Sequence, residues 1–155
     1  MAENELFRTA LNKAMTLCSQ REFCCDDIIN KLLSWGVENI DAEKIIGILI
    51  KENFINESRY ASAFVRDKFK YNKWGKVKIS SQLRFKKLPA DIINAALDSI
   101  DNETYIKSLH DMLDGHRRTI KAKNQYDLKG KLLRYGLSKG FESNLLYDIL
   151  NDLEE

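Results

Sequence analysis

An apolar pattern that recurs about every fifty residues is the feature that most restricts what this chain can fold into. Three segments share internal steps of four and five residues: Ile28, Leu32 and Val37; Ile79, Leu83 and Leu88; and Leu128, Leu132 and Leu137. Each segment is followed by a second apolar pair four residues apart: Ile45 and Leu49; Ile93 and Leu97; and Leu146 and Leu150. Self-similarity at this period is typical of structural repeats that stack on one another.

The spacing inside each segment is that of an α-helix, because apolar residues recur every three or four positions and strict alternation is absent. We therefore predict an all-α fold of three tandem three-helix repeats in an elongated, curved array. The predicted limits of the repeats are 6–54, 56–100 and 102–153. The alternative is that Leu and Ile recur at helical spacing by chance, as they can in any helical protein.

Polar residues, glycines and the single proline mark the predicted helix ends. Asn56 and Asp101 precede helical segments, and both residue types are favoured N-caps. Pro89 is expected at the first position of a helix, where its missing N–H costs nothing. Gly36 and Gly136 are expected to end helices.

The charge of the chain is concentrated in its middle. Residues 1–55 carry six Lys/Arg against nine Asp/Glu, residues 56–88 carry ten against two, and residues 89–155 carry nine against twelve. The net charges are therefore −3, +8 and −3, although the whole chain has a formal charge of only +2. A surface of one sign attracts polyanions by releasing their counterions, so nucleic acid is the expected partner of the middle repeat.

At about 100° per residue, these cations fall into two helical strips. One strip holds Arg59, Arg66, Lys70 and Lys73, and the other runs from Lys76 to Lys87. The predicted binding surface comprises eight cations: Arg59, Arg66, Lys70, Lys73, Lys76, Lys78, Arg84 and Lys87. Two aromatic residues among them, Trp74 and Phe85, are candidates either for stacking on unpaired bases or for packing between repeats.

Several classes of protein are disfavoured by what the sequence lacks. No apolar run is long enough to span a membrane, and the charged N-terminal segment does not resemble a secretory signal, so a cytoplasmic location is expected. Cys18, Cys24 and Cys25 are interpreted as reduced structural thiols, and neither histidine lies at metal-ligand spacing from them. No phosphate-binding loop or catalytic motif is recognisable. We expect a non-enzyme with no cofactor and no metal, and a monomer because no heptad seam is present.

Three segments resemble the RecX family of regulatory proteins. They are "RTALNKAMTLCSQREFCCDDIINKLLSWG", which begins at Arg8, "IIGILIKENFINESRYASAFVRDKF", which begins at Ile45, and "WGKVKISSQLRFKKLPADIINAAL", which begins at Trp74. The resemblance covers most of the chain and is strongest from Asn56 to Leu97. One departure is that Lys86 and Lys87 stand where the family favours Lys-Gly. The helix that precedes these two residues is therefore expected to end differently.

The resemblance implies a function in homologous recombination. RecX proteins are bacterial modulators of the recombinase RecA, so the chain is expected to bind the groove of the RecA–DNA filament. There it would inhibit filament extension, ATPase, strand exchange and coprotease activity, in the setting of DNA repair and the SOS response. The eight cations would face single- or double-stranded DNA or an acidic RecA surface. The alternative is a stand-alone DNA- or RNA-binding module that acts without RecA.

Overall fold

The computed structural model describes the backbone of residues 2–152 and the side chains of residues 5–152. Within this range the chain forms nine α-helices and no strand, which confirms the all-α prediction. The helices are α1 (Ala2–Gln20), α2 (Cys25–Ser34), α3 (Asn39–Lys51), α4 (Glu57–Lys70), α5 (Lys76–Phe85), α6 (Ala90–Asp98), α7 (Asn102–Arg117), α8 (Gln125–Ser138) and α9 (Ser143–Asp152).

The helices pack as three successive triplets, each around its own apolar cluster. The most extensive helix–helix contacts all lie within a triplet. Neighbouring clusters also share side chains: Cys24, at the start of α2, is buried in the second cluster, and Phe69 and Ile100 contact both the second and the third. The repeat limits of 6–54, 56–100 and 102–153 stay a proposal, and residue 153 lies outside the described residues.

The middle helix of each triplet ends in the same way. Gly36, Lys87 and Gly140 have positive φ angles of 90°, 67° and 89°. In each case the next residue donates its N–H to a carbonyl five residues earlier: Val37 to Leu32 at 3.0 Å, Leu88 to Leu83 at 3.2 Å and Phe141 to Gly136 at 3.1 Å. This is the hydrogen bond of a Schellman motif, which left-handed backbone after a helix makes possible. Lys87 therefore adopts the conformation that glycine adopts in the other two repeats.

These motifs show that the predicted register of the third repeat is wrong by one helical turn. The residues equivalent to Ile28, Leu32 and Val37 are Leu132, Gly136 and Phe141, all three of which are buried. In the predicted alignment Leu137 would be a core residue, but its side chain is 45% exposed. The error arises because α8, with 14 residues, is about one turn longer than α2 and α5, which have 10 residues each.

The predicted alignment of the third helices in each triplet was also shifted. In each third helix, a backbone N–H near the start donates to the carbonyl of the residue just before the helix. The pairs are Ala42 with Glu38, Ile93 with Pro89, and Leu146 with Glu142. All three donor residues are buried, so Ile93 corresponds to Ala42 rather than to Ile45.

The predicted N-caps are confirmed. The Asn56 side chain accepts the Arg59 N–H at 3.0 Å, and the Asp101 carboxylate accepts the Thr104 N–H at 3.0 Å. Pro89 is the N-cap of α6 and precedes its first helical position by one residue.

Gly136 does not end a helix, contrary to the prediction. It lies inside α8, and a Cβ placed on it would sit 2.3 Å from a Leu146 methyl carbon. Its lack of a side chain lets α8 and α9 approach closely. The glycine with left-handed backbone after α8 is Gly140.

Candidate partner-binding surface

The eight predicted cations do not form one continuous surface. Four of them make contacts at the junctions between repeats, while Arg66, Lys70 and Lys73 border an open cleft and Arg84 is exposed on α5. Arg59 belongs to the first group. Its Nε lies 2.5 Å from Glu22 Oε2, and its Nη2 donates to the carbonyls of Asn53 at 3.2 Å and Phe54 at 3.3 Å. The guanidinium therefore fastens α4 to the first repeat, which the helical wheel could not reveal.

Two cations just after α5 complete the junction between the first two repeats. Lys86 Nζ lies 2.7 Å from Asp27 Oδ1, and Lys87 Nζ lies 3.4 Å from Asp26 Oδ1. Burial alone would raise the pKa of Asp27, but the hydrogen bonds from Lys86 and Cys24 lower it below its ordinary value. The Lys87 side chain, one of the predicted binding cations, is 80% exposed, and its ammonium group lies beside a carboxylate of the same chain.

The N-terminus of α5 is docked against the C-terminus of α8. The Gly75 N–H donates to the Lys139 carbonyl at 2.7 Å, and the Val77 N–H donates to the Gly140 carbonyl at 2.9 Å. The backbones meet so closely that a Cβ on Gly75 would lie 2.4 Å from the Gly140 oxygen. Free N–H groups at one helix start are thereby paired with free carbonyls at another helix end.

Lys76 and Lys78 lie at this second junction. The Lys76 N–H donates to the Tyr105 hydroxyl at 2.8 Å, and the Tyr105 hydroxyl donates to the Glu142 carboxylate. Lys78 Nζ is 3.4 Å from the Ser138 carbonyl. Cations at a helix start are normally unfavourable, but here they face the partial negative charge of the α8 C-terminus. The "GKVK" sequence is thus explained by a contact within the chain.

The two candidate stacking aromatics have different surroundings. Trp74 is half-buried against the second apolar cluster, with Lys68 Nζ 5.0 Å and Lys78 Nζ 4.5 Å from its ring centre. This position favours the packing interpretation. Phe85 is 82% exposed on α5, next to the exposed Arg84. Its ring remains available to an external partner.

An open cleft of about 1070 Å³ lies between α4 and α7. Its lining includes Arg66, Lys70, Lys73, Lys107, Asp101, Asp111 and His116, with the apolar side chains of Val65, Phe69, Ile100 and Met112. The ring of His116 stacks on Tyr135 at 3.6 Å. No sequence signal indicated this cleft, because it depends on how two helices of different repeats are oriented.

The carboxylates of the cleft already have partners, whereas two of its four cations form no ion pair with a carboxylate among the described residues. Asp111 accepts from Lys107 Nζ at 2.8 Å, and that hydrogen bond, with a contribution from Lys73, lowers the pKa of Asp111. Asp101 caps α7. Arg66 is 70% exposed, and its nearest carboxylate, its neighbour Asp67, is 3.8 Å away. Among the described residues, no carboxylate forms an ion pair with Lys70 or Lys73.

Other kinds of site are poorly represented in the described part of the chain. Residues 2–152 contain no helix with the length and apolar character needed to cross a bilayer. In the same range no three His, Cys, Asp or Glu side chains are grouped as metal ligands. Desolvation is the main cause that raises the pKa of the buried Cys24 thiol to about 12 and that of the half-buried Cys25 thiol to about 11.

The fold and its surface define a tandem three-helix repeat protein with a basic cleft between its second and third repeats. Residues 56–97 match a family profile described as "RecX, second three-helix domain". The chain is 26% identical over 151 residues to the regulatory protein RecX of Clostridioides difficile (strain 630), covering 97% of this chain and 71% of that protein. It is 32% identical over 127 residues to the regulatory protein RecX of Clostridium botulinum (strain Eklund 17B / Type B), covering 79% and 58%.

Solved structures agree with this match. The crystal structure of RecX from Lactobacillus salivarius superposes with a TM-score of 0.82 at 20% identity, covering 97% of this chain and 98% of that one. A second structure, "Crystal structure of regulatory protein RecX", superposes with a TM-score of 0.87 at 21% identity, covering 97% of this chain and 74% of that one. The protein belongs to the RecX family of regulatory proteins, and the predicted helical-repeat fold and family are confirmed.

Proposed function

We propose that the protein is a negative regulator of the recombinase RecA that binds the RecA–DNA filament and lowers its ATPase, strand-exchange and coprotease activities. One observation carries the assignment beyond family membership. Arg66, Lys70 and Lys73 present positive charge on one open side of the second repeat, and no carboxylate among the described residues forms an ion pair with Lys70 or Lys73. Such a surface is suited to a polyanionic or acidic partner.

The junctions between repeats suggest how binding becomes inhibition. Ion pairs join the first two repeats, and backbone hydrogen bonds join the last two. A rigid chain of linked units can contact neighbouring subunits of a helical filament at once, so several weak contacts add to a strong one. A protein bound in this way would oppose filament extension and the conformational change that accompanies nucleotide turnover.

Arg84 and Phe85 extend the proposed surface onto α5. Both side chains are exposed, and exposed aromatic rings beside a cation are suited to single-stranded nucleic acid. In this proposal α5 contacts filament DNA. The remaining predicted cations, Arg59, Lys76, Lys78 and Lys87, hold the repeats together.

The relatives are named as regulatory proteins, and we propose a protein that acts by binding and not by catalysis. It needs no cofactor in this scheme. We propose that it acts in the cytoplasm as a monomer.

The test is RecA ATPase on single-stranded DNA with increasing amounts of the protein. We expect inhibition that is abolished by the double charge reversal R66E/K70E and kept by the control K44E/K51E, which changes the net charge equally on the first repeat. Unchanged inhibition by R66E/K70E would show that the assigned surface is wrong. Inhibition far below one protein per RecA subunit would indicate capping of filament ends, and inhibition near equivalence would indicate binding along the filament.

A pull-down distinguishes the proposal from a stand-alone nucleic-acid-binding module. RecA retained on the immobilised protein in the absence of nucleic acid is the expected result. Retention of DNA alone, with no RecA, would contradict the proposed function.

A further inference from the structure

The cleft between α4 and α7 has two kinds of lining, cationic and apolar. One wall carries Arg66, Lys70 and Lys73, and the lining between the walls includes Phe69 and Met112. A phosphate backbone would gain from the cations but nothing from apolar side chains. Single-stranded bases could use an apolar surface, but preferably a flat aromatic one. The combination is closer to the grooves that bind amphipathic protein segments.

The charges that line the cleft indicate the sign of the charge that its occupant should carry. Its lining has four cations, Arg66, Lys70, Lys73 and Lys107, against two carboxylates, Asp101 and Asp111. Both carboxylates are engaged, one as the N-cap of α7 and the other with Lys107. The uncommitted charge therefore lies on the α4 wall and is positive.

The acidic residues of the α7 wall also argue against nucleic acid. A phosphate backbone laid along α4 would pass Asp101 and Asp111, and both carboxylates would repel it. A protein segment can place carboxylates against α4 alone and polar or apolar groups against α7. The hydroxyl groups of Ser62, Thr104 and Ser108 supply neutral hydrogen-bonding partners along the same cleft.

We propose that this cleft is the binding site for an acidic, amphipathic segment of a partner protein. The apolar side chains of the segment would rest on Phe69, Ile100 and Met112, and its carboxylates would pair with Lys70 and Lys73. A volume of about 1070 Å³ lies at the upper end of the range for ligand pockets, which suits a few successive side chains of a peptide. The inference rests on the proposed function, because RecA is the partner used to test it.

Two helical glycines allow a matched test. Gly115 lines the cleft on α7, and Gly47 lies on α3, far along the chain from it. A Cβ added at either position meets no atom within 4 Å, and neither glycine has a positive φ. The variants G115W and G47W should therefore both fold, since tryptophan is a better helix former than glycine. Only G115W places a bulky side chain in the cleft.

A second pair of variants tests charge without bulk. Lys70→Glu reverses a cation on the cleft wall, and Lys44→Glu makes the same change on an exposed part of α3. The wild type and all four variants are immobilised and titrated in parallel with RecA alone and with labelled (dT)36 alone. Circular dichroism verifies that each variant keeps its helix content.

We expect RecA to bind G115W and K70E at least tenfold more weakly than the wild type. The affinity of RecA for G47W and K44E, and that of (dT)36 for G115W, should stay within about twofold of the wild-type value. RecA binding by G115W at wild-type strength would overturn the inference and leave the proposed function intact. Loss of (dT)36 binding only in G115W would assign the cleft to nucleic acid. Conversion of a wild-type dimer to a monomer by G115W would assign the cleft to a second copy of the chain. Either of these two outcomes would overturn the inference. Failure of the wild type to bind RecA would overturn the proposed function itself.

Discussion

Replacing Tyr105 by phenylalanine should measure the strength of the junction between the second and third repeats. The Tyr105 side chain is buried, and its ring packs 5.7 Å from Phe69 and 5.2 Å from Phe141. Phenylalanine keeps this packing and removes only the hydroxyl group. That hydroxyl accepts the Lys76 N–H and donates to the Glu142 carboxylate, so it connects α5, α7 and the start of α9.

The magnitude follows from the two hydrogen bonds that are lost. A bond to a charged group contributes about 1.5–3 kcal/mol, and an unsatisfied backbone N–H costs about 1–3 kcal/mol when buried. Because Lys76 and Glu142 are half-buried, water can recover part of this loss, and we expect the free energy of unfolding to fall by about 2–4 kcal/mol. For a chain of this length that corresponds to a Tm lower by roughly 4–16 °C.

The assay is urea unfolding followed by circular dichroism, with Tyr126→Phe as the control. Tyr126 is 89% exposed, so its hydroxyl should contribute almost nothing. Burial first, and then the hydrogen bond to Glu142, raise the pKa of Tyr105 far above its ordinary value. The phenol therefore stays protonated, and the effect should be the same at pH 6 and pH 9. A change in unfolding free energy no larger than that of the control would refute the role assigned to the Tyr105 hydroxyl.

Three further predictions concern stability. Asp27→Asn should destabilise the protein by about 1–2 kcal/mol at pH 7 through loss of the charged hydrogen bond from Lys86. The pKa of Asp27 is lowered on folding, so its contribution is present above pH 3.8 and lost below it, and the urea midpoints of wild type and variant should converge there. Gly140→Ala should destabilise the protein by at least about 2 kcal/mol more than Gly36→Ala. Both glycines have φ near 90°, but only at Gly140 would an added Cβ meet Lys78, at 2.1 Å. Equal losses of stability in thermal unfolding would contradict the close backbone approach. Leu83→Ala should cost about 2–5 kcal/mol by truncating a buried core residue, and a cost below 1 kcal/mol would contradict its place in the second cluster.

The repeats could be predicted from the sequence, but the register of the third one could not. Leu128 and Leu132 lie one turn apart on the same face of α8, so the same spacing fits before and after a slip of four residues. Only the glycine at positive φ fixes the register, and Gly136 and Gly140 are equally plausible candidates in the sequence. The deciding fact is that Gly136 must admit Leu146, a contact between two helices.

The surroundings of the eight predicted cations could be predicted only in part, for a similar reason. A helical wheel shows which side of a helix a cation occupies, but not what another repeat places opposite that side. Arg59 meets Glu22 and Lys76 meets Tyr105, and both partners lie more than 25 residues away in sequence. Arg66, Lys70 and Lys73 remained exposed because the neighbouring α7 leaves an open cleft beside them.

The contact of Gly75 with Gly140 has a consequence for how the protein can vary. The angle between the last two repeats is set where main chain touches main chain, so it does not depend on the size or charge of surface side chains. Mutations on the exterior can therefore alter which molecules are recognised while the spacing between the recognising parts stays the same. A single methyl group at either glycine would instead force the two repeats apart and change that spacing throughout the array.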